Sequence, residues 1–289
     1  MQCAVKSPTS TPQRRRPPPN RMFAKPRGGS LLASLVPTLA ITAIVAIVLI
    51  GHGRFARRHP NPAALRSPDE PTQGVSVLGL ICVMLSAAIP LLCFVSVGAQ
   101  YPALEFADPA APTADAPLVA TVAGYLVICA CVGFYEEGAF RVILQDLFSR
   151  GFLGNGARRG RCALYAAIAA SVLFAVLHAV SPVPAEADSV QVAMQAALKF
   201  LQGMLFGLAM TGLLARSGSF VLVAAVHACY DLLFFLPWML DIGGFPSTYL
   251  TGLAIDTFAL AANCVCLAPA AVLSLRLLAY GGAVQPRMR

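Results

Sequence analysis

The stretch CVGFYEEGAFR, residues 131–141, places two adjacent carboxylates and an arginine inside a long apolar run. Glu137 and Arg141 are four residues apart, so on a helix they share one face and can form an ion pair. Glu136 is rotated by about 100° from Glu137 and faces another direction. A charged side chain inside a membrane is costly, so the stretch predicts a functional site with partners elsewhere in the chain. We expect the last turns of this run, with Arg141, Gln145 and Asp146, to reach water.

The composition of the whole chain is that of a membrane protein. Of its 289 residues, 57% are hydrophobic and 12% are charged, and the mean hydropathy is +0.71. These values predict an all-α, polytopic transmembrane helical bundle, because in lipid every backbone polar group must be satisfied within a helix. The net charge is +8, but the basic residues mostly separate apolar runs. They therefore indicate membrane topology, and no nucleic acid is expected as a partner.

Seven apolar runs reach the roughly 20 residues that a spanning helix requires. The runs are 31–50, 75–98, 118–148, 162–180, 190–215, 220–238 and 250–280. Lysines and arginines alternate between the connecting segments. Segments 51–74, 149–161, 216–219 and 281–289 hold four, four, one and two of them, whereas 99–117, 181–189 and 239–249 hold none. The basic set is predicted to be cytoplasmic.

The N-terminal tail, residues 1–29, conflicts with this orientation. It carries seven lysines or arginines, yet seven spans place it outside the cell. A true start at Met22, a re-entrant first segment around Pro37, or an additional helix would each resolve the conflict. The tail has no apolar periodicity, so we expect it to be disordered.

The nine cysteines are interpreted as small apolar packing residues rather than as a redox or zinc site. Eight of them fall in apolar runs, and none forms a C-x-x-C pair. The two cysteines of a C-x-C pair point to different sides of a helix, which disfavours a shared metal.

Two later runs supply partners for the acidic pair. His178 ends one apolar run, and His227 and Asp231 lie four residues apart in another. At about 1.5 Å per residue, Glu136, His178, His227 and Asp231 lie roughly 18, 24, 10 and 17 Å from the cytoplasmic ends of their runs. The boundaries of the runs are uncertain by several ångströms. We therefore predict that the four groups share one layer and one cavity.

These residue types suit hydrolysis at a buried site. A carboxylate such as Glu136 can act as a general base, and His178 opposite it can position the same water. His227 and Asp231 admit two roles: they can stabilise an oxyanion, or His227 can bind a metal while Asp231 orients it. Buried Glu–Arg and His–Asp pairs can also serve only to join helices.

The order of the motifs E-E-x-x-x-R, F-x-x-x-H and H-x-x-x-[N/D] resembles the CPBP family of intramembrane proteases. That family includes CAAX-prenyl endopeptidases and bacteriocin-processing and self-immunity proteins. The matching residues are Glu136, Glu137, Arg141, Phe174, His178, His227 and Asp231. Residues 200–207 and 217–219 are similar to the third core helix of the family and its following turn. The resemblance covers about 118–238 and implies a four-helix catalytic core.

The resemblance implies a proteolytic site inside the membrane, with Glu136 and the two histidines essential. The candidate site residues are Glu136, Glu137, Arg141, His178, His227 and Asp231. No cofactor is firmly predicted, and a water activated by glutamate is favoured slightly. The alternative is a zinc ion held by Glu136, His178 and His227. Asp231 stands where the family often has Asn, and an ionised Asp cannot donate to an oxyanion, which favours a role in orienting His227.

The predicted organisation is a tail at 1–29, two spans with loops at 30–117, a protease core at 118–238 and a C-terminal span at 239–289. The expected partners are membrane lipid and a protein or peptide substrate, and lipidation of that substrate stays open. The expected location is the cell (plasma) membrane. Two other classes of function stay open, an ion or small-solute carrier and a catalytically silent immunity or scaffold protein. A carrier is expected to contain repeated helix pairs with broken segments, and the sequence shows no such repeat.

The run at 190–215 carries polar residues along one helix face. They are Gln191, Gln195, Lys199 and Gln202. A stripe of hydrogen bonds facing the bundle is favoured over the lining of a water-filled path. Gly203 and Gly207 form a small-x-x-x-small pair, which predicts close packing between helices.

Overall fold

The computed structural model describes residues 31–59, 61, 73–100, 118–154, 159–180, 189–242, 250 and 252–281. All structural statements concern these residues. The expected disorder of the tail at 1–29 lies outside the described residues. So do most of the connecting segments whose charges set the predicted orientation.

The described chain is helical throughout its ordered elements, without a strand. Its α-helices are α1 (Leu31–Arg58), α2 (Gln73–Gln100), α3 (Leu118–Glu137), α4 (Gln145–Gly154), α5 (Arg159–Ala179), α6 (Ser189–Ser217), α7 (Phe220–Ile242) and α8 (Ala254–Gly281). A π-helical segment, Gly138–Leu144, joins α3 to α4. The prediction of an all-α bundle is confirmed.

Seven of these helices, all except α4, correspond to the seven predicted runs. Among the described residues, four stretches are long and apolar enough to cross a membrane: Leu35–Arg58, Arg161–Ala179, Ser189–Ser217 and Ala254–Ala279. Two shorter apolar helices are Val77–Cys93 and Phe220–Leu236. The molecule is therefore a helical membrane protein. Helix α1 runs through Pro37 without a break, which removes the alternative of a re-entrant segment turning there.

The third run is not the single helix over 118–148 that we expected. It is α-helical to Glu137, π-helical to Leu144 and α-helical again to Gly154. Most of the loop expected at 149–161 is therefore helical. A π-helical turn pairs residues i and i+5, and such turns occur frequently at functional sites. Here the π turn begins directly after the acidic pair.

The expectation that the last turns of this run reach water is wrong for Arg141 and Gln145, whose exposed fractions are 3% and 4%. The side chain of Asp146 is partly exposed, at 14%.

The end of α1 and Asn61 lie against α4, because Asn61 Nδ2 donates to Asp146 Oδ1 at 2.6 Å and Arg150 Nη2 donates to the carbonyl oxygen of His59 at 2.8 Å. Helix α1 also contacts the π turn, where a Cβ atom on Gly138 would lie 2.8 Å from the side chain of Leu49.

Helix α6 packs closely against α5. A Cβ atom on Gly203 would lie 3.0 Å from the Cα atom of Ala175, and one on Gly207 would lie 2.8 Å from Ser171 Oγ. The small-x-x-x-small prediction is therefore confirmed. The close approach brings the polar face of α6 into the centre of the bundle.

The glutamines on that face form hydrogen bonds inside the bundle, as we expected. Gln195 Nε2 donates to the carbonyl oxygen of Leu253 at 2.9 Å. Gln202 Nε2 donates to Tyr230 Oη and to Asn263 Oδ1, both at 3.0 Å. These bonds set the register of α6 against α7 and α8.

The cysteines do not form disulfides within the described residues. The free thiols there are Cys82, Cys93, Cys129, Cys131, Cys162, Cys229, Cys264 and Cys266. Three of them, Cys129, Cys162 and Cys264, are buried. The buried thiols fit the interpretation of these residues as packing groups.

We expect Gly133→Ala to destabilise the protein. A Cβ atom at Gly133 would lie 2.5 Å from the carbonyl oxygen of Ala224 and 2.9 Å from the backbone nitrogen of Ala228. Helix α7 must then move away from α3, at a cost of about 1–3 kcal/mol. Thermal unfolding of the purified protein in detergent measures this loss.

Gly151→Ala is the matched control. A Cβ atom at Gly151 meets nothing within 4 Å, and alanine is favoured over glycine in a helix by about 0.8–1 kcal/mol. The control should therefore unfold at the wild-type temperature or above it. A Gly133→Ala protein as stable as this control contradicts the close α3–α7 contact.

Candidate active site

A cavity of about 260 Å³ lies between α3, α5, α6 and α7. Its polar lining includes Glu136, His178, Lys199, His227 and Asp231. The predicted convergence of Glu136 with both histidines is therefore present. Because helices from distant parts of the sequence supply these groups, only packing of the whole core forms the cavity.

Glu136 Oε2 lies 3.6 Å from His178 Nε2 and 3.6 Å from His227 Nε2. Both distances are longer than a direct hydrogen bond. A water molecule can bridge polar groups at such a separation. The other carboxylate oxygen, Oε1, accepts a hydrogen bond from Tyr135 Oη at 3.4 Å. Oε2 is therefore the oxygen of Glu136 that is directed at the histidines.

His178 lies in the last turn of α5, and two contacts with Phe174 fix the orientation of its ring. Its Nδ1 atom is 2.8 Å from the carbonyl oxygen of Phe174. A carbonyl only accepts, so Nδ1 carries the hydrogen and Nε2 faces Glu136. The imidazole stacks on the Phe174 ring with centroids 4.0 Å apart. The F-x-x-x-H spacing thus supplies both the backbone acceptor and the aromatic surface.

Glu137 is fully buried and lies behind the cavity wall. Arg141 Nε approaches its Oε2 at 3.2 Å, which is the ion pair predicted from their spacing. His227 Nδ1 donates to its Oε1 at 2.7 Å. This second bond joins residues 90 positions apart, so no local pattern in the sequence signals it.

Asp231 lies on the cavity side of His227. Its Oδ2 is 3.5 Å from His227 Nε2, the same nitrogen that faces Glu136. The orienting position at Nδ1 belongs to Glu137, not to Asp231 as the sequence favoured. The His227 ring also packs against Phe206, with centroids 4.8 Å apart.

Arg141 does not line the cavity, although we named it as a site residue. Its side chain is fully buried beside Glu137, and its guanidinium carbon lies 4.9 Å from the centre of the Phe174 ring. Arg141 therefore acts on the site through Glu137 and Phe174, both of which hold a histidine.

Lys199 reaches the cavity, which the sequence left as the less favoured alternative. Its exposed fraction is 6%, and Nζ lies 4.8 Å from the centre of the Phe234 ring. The glutamines of the same stripe face α8 and α7. The stripe therefore both forms hydrogen bonds inside the bundle and, through Lys199, lines the cavity. The polar stripe itself is the sequence signal that marks Lys199.

The zinc alternative stays a prediction. Among the described residues, no group of three or more His, Cys, Asp or Glu side chains has the arrangement of a preformed metal site. His227 donates Nδ1–H to Glu137 and directs Nε2 toward Glu136 and Asp231, and metal-binding histidines use the same arrangement.

We expect Glu137→Gln to lower stability and abundance in the membrane. The change removes the carboxylate that pairs with Arg141 and His227, and breaking a buried ion pair costs about 3–5 kcal/mol. Glu136→Gln should leave both quantities near the wild-type level, because Glu136 faces the cavity. Immunoblotting of membranes measures abundance, and thermal unfolding in detergent measures stability. Equal losses in both variants would contradict the assignment of a structural role to Glu137 and a cavity-facing role to Glu136.

Comparison with known proteins supports the resemblance seen in the motifs. Residues 118–233 match the family model described as type II CAAX prenyl endopeptidase Rce1-like. No curated protein and no solved structure shows significant similarity to the chain. The matched segment includes α3, α5, α6 and the part of α7 that carries His227 and Asp231. The predicted resemblance is thereby confirmed for this segment: residues 118–233 match the model of the Rce1-like CAAX prenyl endopeptidase family.

Proposed function

We propose that this protein is an intramembrane endopeptidase that hydrolyses a peptide bond with a water activated by Glu136 and His178. The observation that carries the proposal is the position of Glu136 Oε2, 3.6 Å from His178 Nε2 in a cavity between membrane helices. A water bound beside both atoms can donate one hydrogen to each of them. Glu136 is then within hydrogen-bond reach of the proton that it must abstract, which is the geometric requirement for a general base. The family domain supports the same class of reaction.

In the first step, the water oxygen bonds to the scissile carbonyl carbon. One proton of the water passes to Glu136 Oε2, and the carbonyl oxygen becomes an oxyanion. His178 keeps its Nδ1 hydrogen on the Phe174 carbonyl, so Nε2 can accept a hydrogen bond from the attacking water. The stacked Phe174 ring limits rotation of the imidazole and keeps this geometry.

His227 is the donor suited to the oxyanion. Its Nδ1 hydrogen is held by Glu137 at 2.7 Å, and its Nε2 faces carboxylate oxygens that can only accept. With a hydrogen on each ring nitrogen, Nδ1–H is donated to Glu137, Nε2–H is left for the oxyanion, and the ring is a cation. A preorganised donor in a water-poor cavity stabilises developing charge far more than it would in bulk water.

In the second step, the tetrahedral intermediate collapses. The C–N bond breaks, and Glu136 returns its proton to the leaving nitrogen. The products are a carboxylic acid and an amine, and a new water restores the starting site. Glu136 therefore acts first as base and then as acid, so a single carboxylate is sufficient.

The substrate is proposed to be a membrane-associated protein or peptide, with a lipidated chain as the favoured form. The cavity lining includes apolar side chains such as Ile128, Val132 and Phe235. An apolar wall beside the reacting groups suits a substrate that partitions into lipid. The proposed location is the plasma membrane.

We expect Glu136→Gln to abolish cleavage of an internally quenched, farnesylated CAAX peptide by the purified protein. Loss of a general base costs about 10²–10⁴-fold in rate. Membrane proteomics of cells with wild-type or Glu136→Gln protein should reveal a product that only the wild type forms. Asp146→Asn is the control, because Asp146 bonds to Asn61 and Arg150 outside the cavity, and it should retain activity. Equal cleavage by wild type and Glu136→Gln would contradict the role of Glu136, and no cleavage by either protein would favour a silent scaffold or a carrier.

A second expectation concerns metal. The purified protein should contain substoichiometric metal and should keep its activity after prolonged treatment with a membrane-permeant chelator. The reason is that Glu136 and His178 can activate a water, and His227 can stabilise the oxyanion, without a metal. Stoichiometric zinc, with activity lost on its removal and restored on its return, would overturn the glutamate mechanism.

A further inference from the structure

Lys199 is a buried cation in the wall of the cavity. Its exposed fraction is 6%, and it shares the cavity lining with Glu136 and Asp231. An ammonium group buried within a membrane protein is costly and normally marks a functional charge partner. The water activation described above makes no use of it, so its presence requires another explanation.

The position of Lys199 is set by its contacts with α7. Its Nζ lies 4.8 Å from the centre of the Phe234 ring, and Phe234 follows Asp231 by three residues, on the same face of α7. One turn further along α6, Gln202 donates to Tyr230 Oη at 3.0 Å and locks the two helices in register. Lys199 therefore shares the wall of one cavity of about 260 Å³ with Asp231 and Glu136, and opposite charges around a water-poor cavity attract one another.

The charges around the cavity balance only if Lys199 is included. Three carboxylates lie here, on Glu136, Glu137 and Asp231, together with two basic side chains, Arg141 and Lys199. Arg141 pairs with Glu137. A His227 ring that donates from both nitrogens supplies the third positive charge, and the cluster is then neutral. A site that lacks Lys199 has one uncompensated negative charge in a membrane, which is strongly unfavourable.

The same geometry creates a problem for the proposed oxyanion. Asp231 Oδ2 lies 3.5 Å from His227 Nε2, which is the donor that the oxyanion must use. A carboxylate at this place competes for the hydrogen and repels negative charge that develops beside it. A nearby fixed cation removes the repulsion without entering the reaction.

We propose that Lys199 is a positioning residue whose ammonium group offsets the charge of Asp231, so that a carboxylate can stand beside the oxyanion-binding edge of His227. The proposal rests on the proposed peptidase function for its catalytic part. The charge pairing itself is a property of the fold and can be measured without a substrate. Lys199 acts through Asp231 and does not contact the reacting atoms.

The alternative role for Lys199 is recognition of a carboxylate on the substrate. The charge count disfavours it, because an additional anion beside Lys199 would leave the cluster negative. The two roles predict different kinetics. A residue that binds substrate raises KM when it is removed, whereas a residue that offsets Asp231 lowers kcat and leaves KM nearly unchanged.

The first experiment is a double-mutant cycle on stability, with full-length wild type, K199M, D231N and K199M/D231N in detergent. Each single variant leaves one buried charge uncompensated, so its melting temperature should fall by about 4 °C or more. The double variant removes both charges and should melt above either single variant. Effects that add independently would overturn the charge pairing.

Q195M is the matched control for K199M, one turn earlier on α6. Gln195 bonds to Leu253 and Thr257 and is not part of the cavity lining. Its loss should lower the melting temperature by the same amount with and without D231N. A rescue of Q195M by D231N would show that D231N stabilises the protein in general, and the pairing would then be rejected.

The second experiment measures cleavage of the farnesylated CAAX peptide by the same variants. K199M should lower kcat about tenfold or more, with KM within about twofold, and K199R should retain most of the activity. K199M/D231N should recover activity relative to K199M, because a neutral amide neither repels the oxyanion nor needs a cation. A raised KM with unchanged kcat, or no recovery in the double variant, would overturn the catalytic role.

The two experiments separate the two hypotheses. Coupled melting temperatures without cleavage of the peptide, or of any membrane protein by proteomics, mean that the charge pairing stands and the peptidase function fails. Cleavage that depends on Glu136, together with independent melting effects, means that the peptidase function stands and the pairing fails.

Discussion

The arrangement around the cavity depends on one buried carboxylate. Glu137 accepts a hydrogen bond from His227 at 2.7 Å and pairs with Arg141 at 3.2 Å. A charge without access to water is tolerated only when it is paired and hydrogen-bonded. Glu137 meets this requirement by binding α7 to the turn that follows α3, and in doing so it fixes the orientation of the His227 ring. The neighbouring Glu136 is then left as the carboxylate that faces the cavity.

The Glu137–His227 hydrogen bond requires the helix backbones to lie close together. Glycines allow this approach: Gly133 lies against α7, and Gly203 and Gly207 lie against α5. Between helices in lipid there is no hydrophobic driving force, so association depends on close packing and on polar contacts. The π turn at Gly138–Leu144 lies directly after the acidic pair. These features bring polar groups from four helices to one cavity.

Electrostatic balance connects the fold to the chemistry. Glu136 and Asp231 both face the Nε2 atom of His227, and Lys199 shares their cavity. Each of these charges would be costly alone, and together they form a cluster that a membrane interior can hold. In the proposed mechanism, the same balance sets the conditions under which an oxyanion can develop beside His227. The proposal therefore makes stability of the core and hydrolysis depend on the same side chains.

The sequence alone determined the all-α membrane fold, the order of the motifs and the ion pair of Glu137 with Arg141. Hydrophobic run length and the i, i+4 spacing are local properties, so a single chain segment is enough to read them. Only the tertiary structure decided that Glu137, rather than Asp231, orients His227, and that Lys199 reaches the cavity. It also decided that Arg141 and Gln145 are buried, in a region where α1 contacts the π turn. Those outcomes depend on contacts between residues far apart in the sequence, and spacing along one helix carries no information about which side chain of another helix will face it.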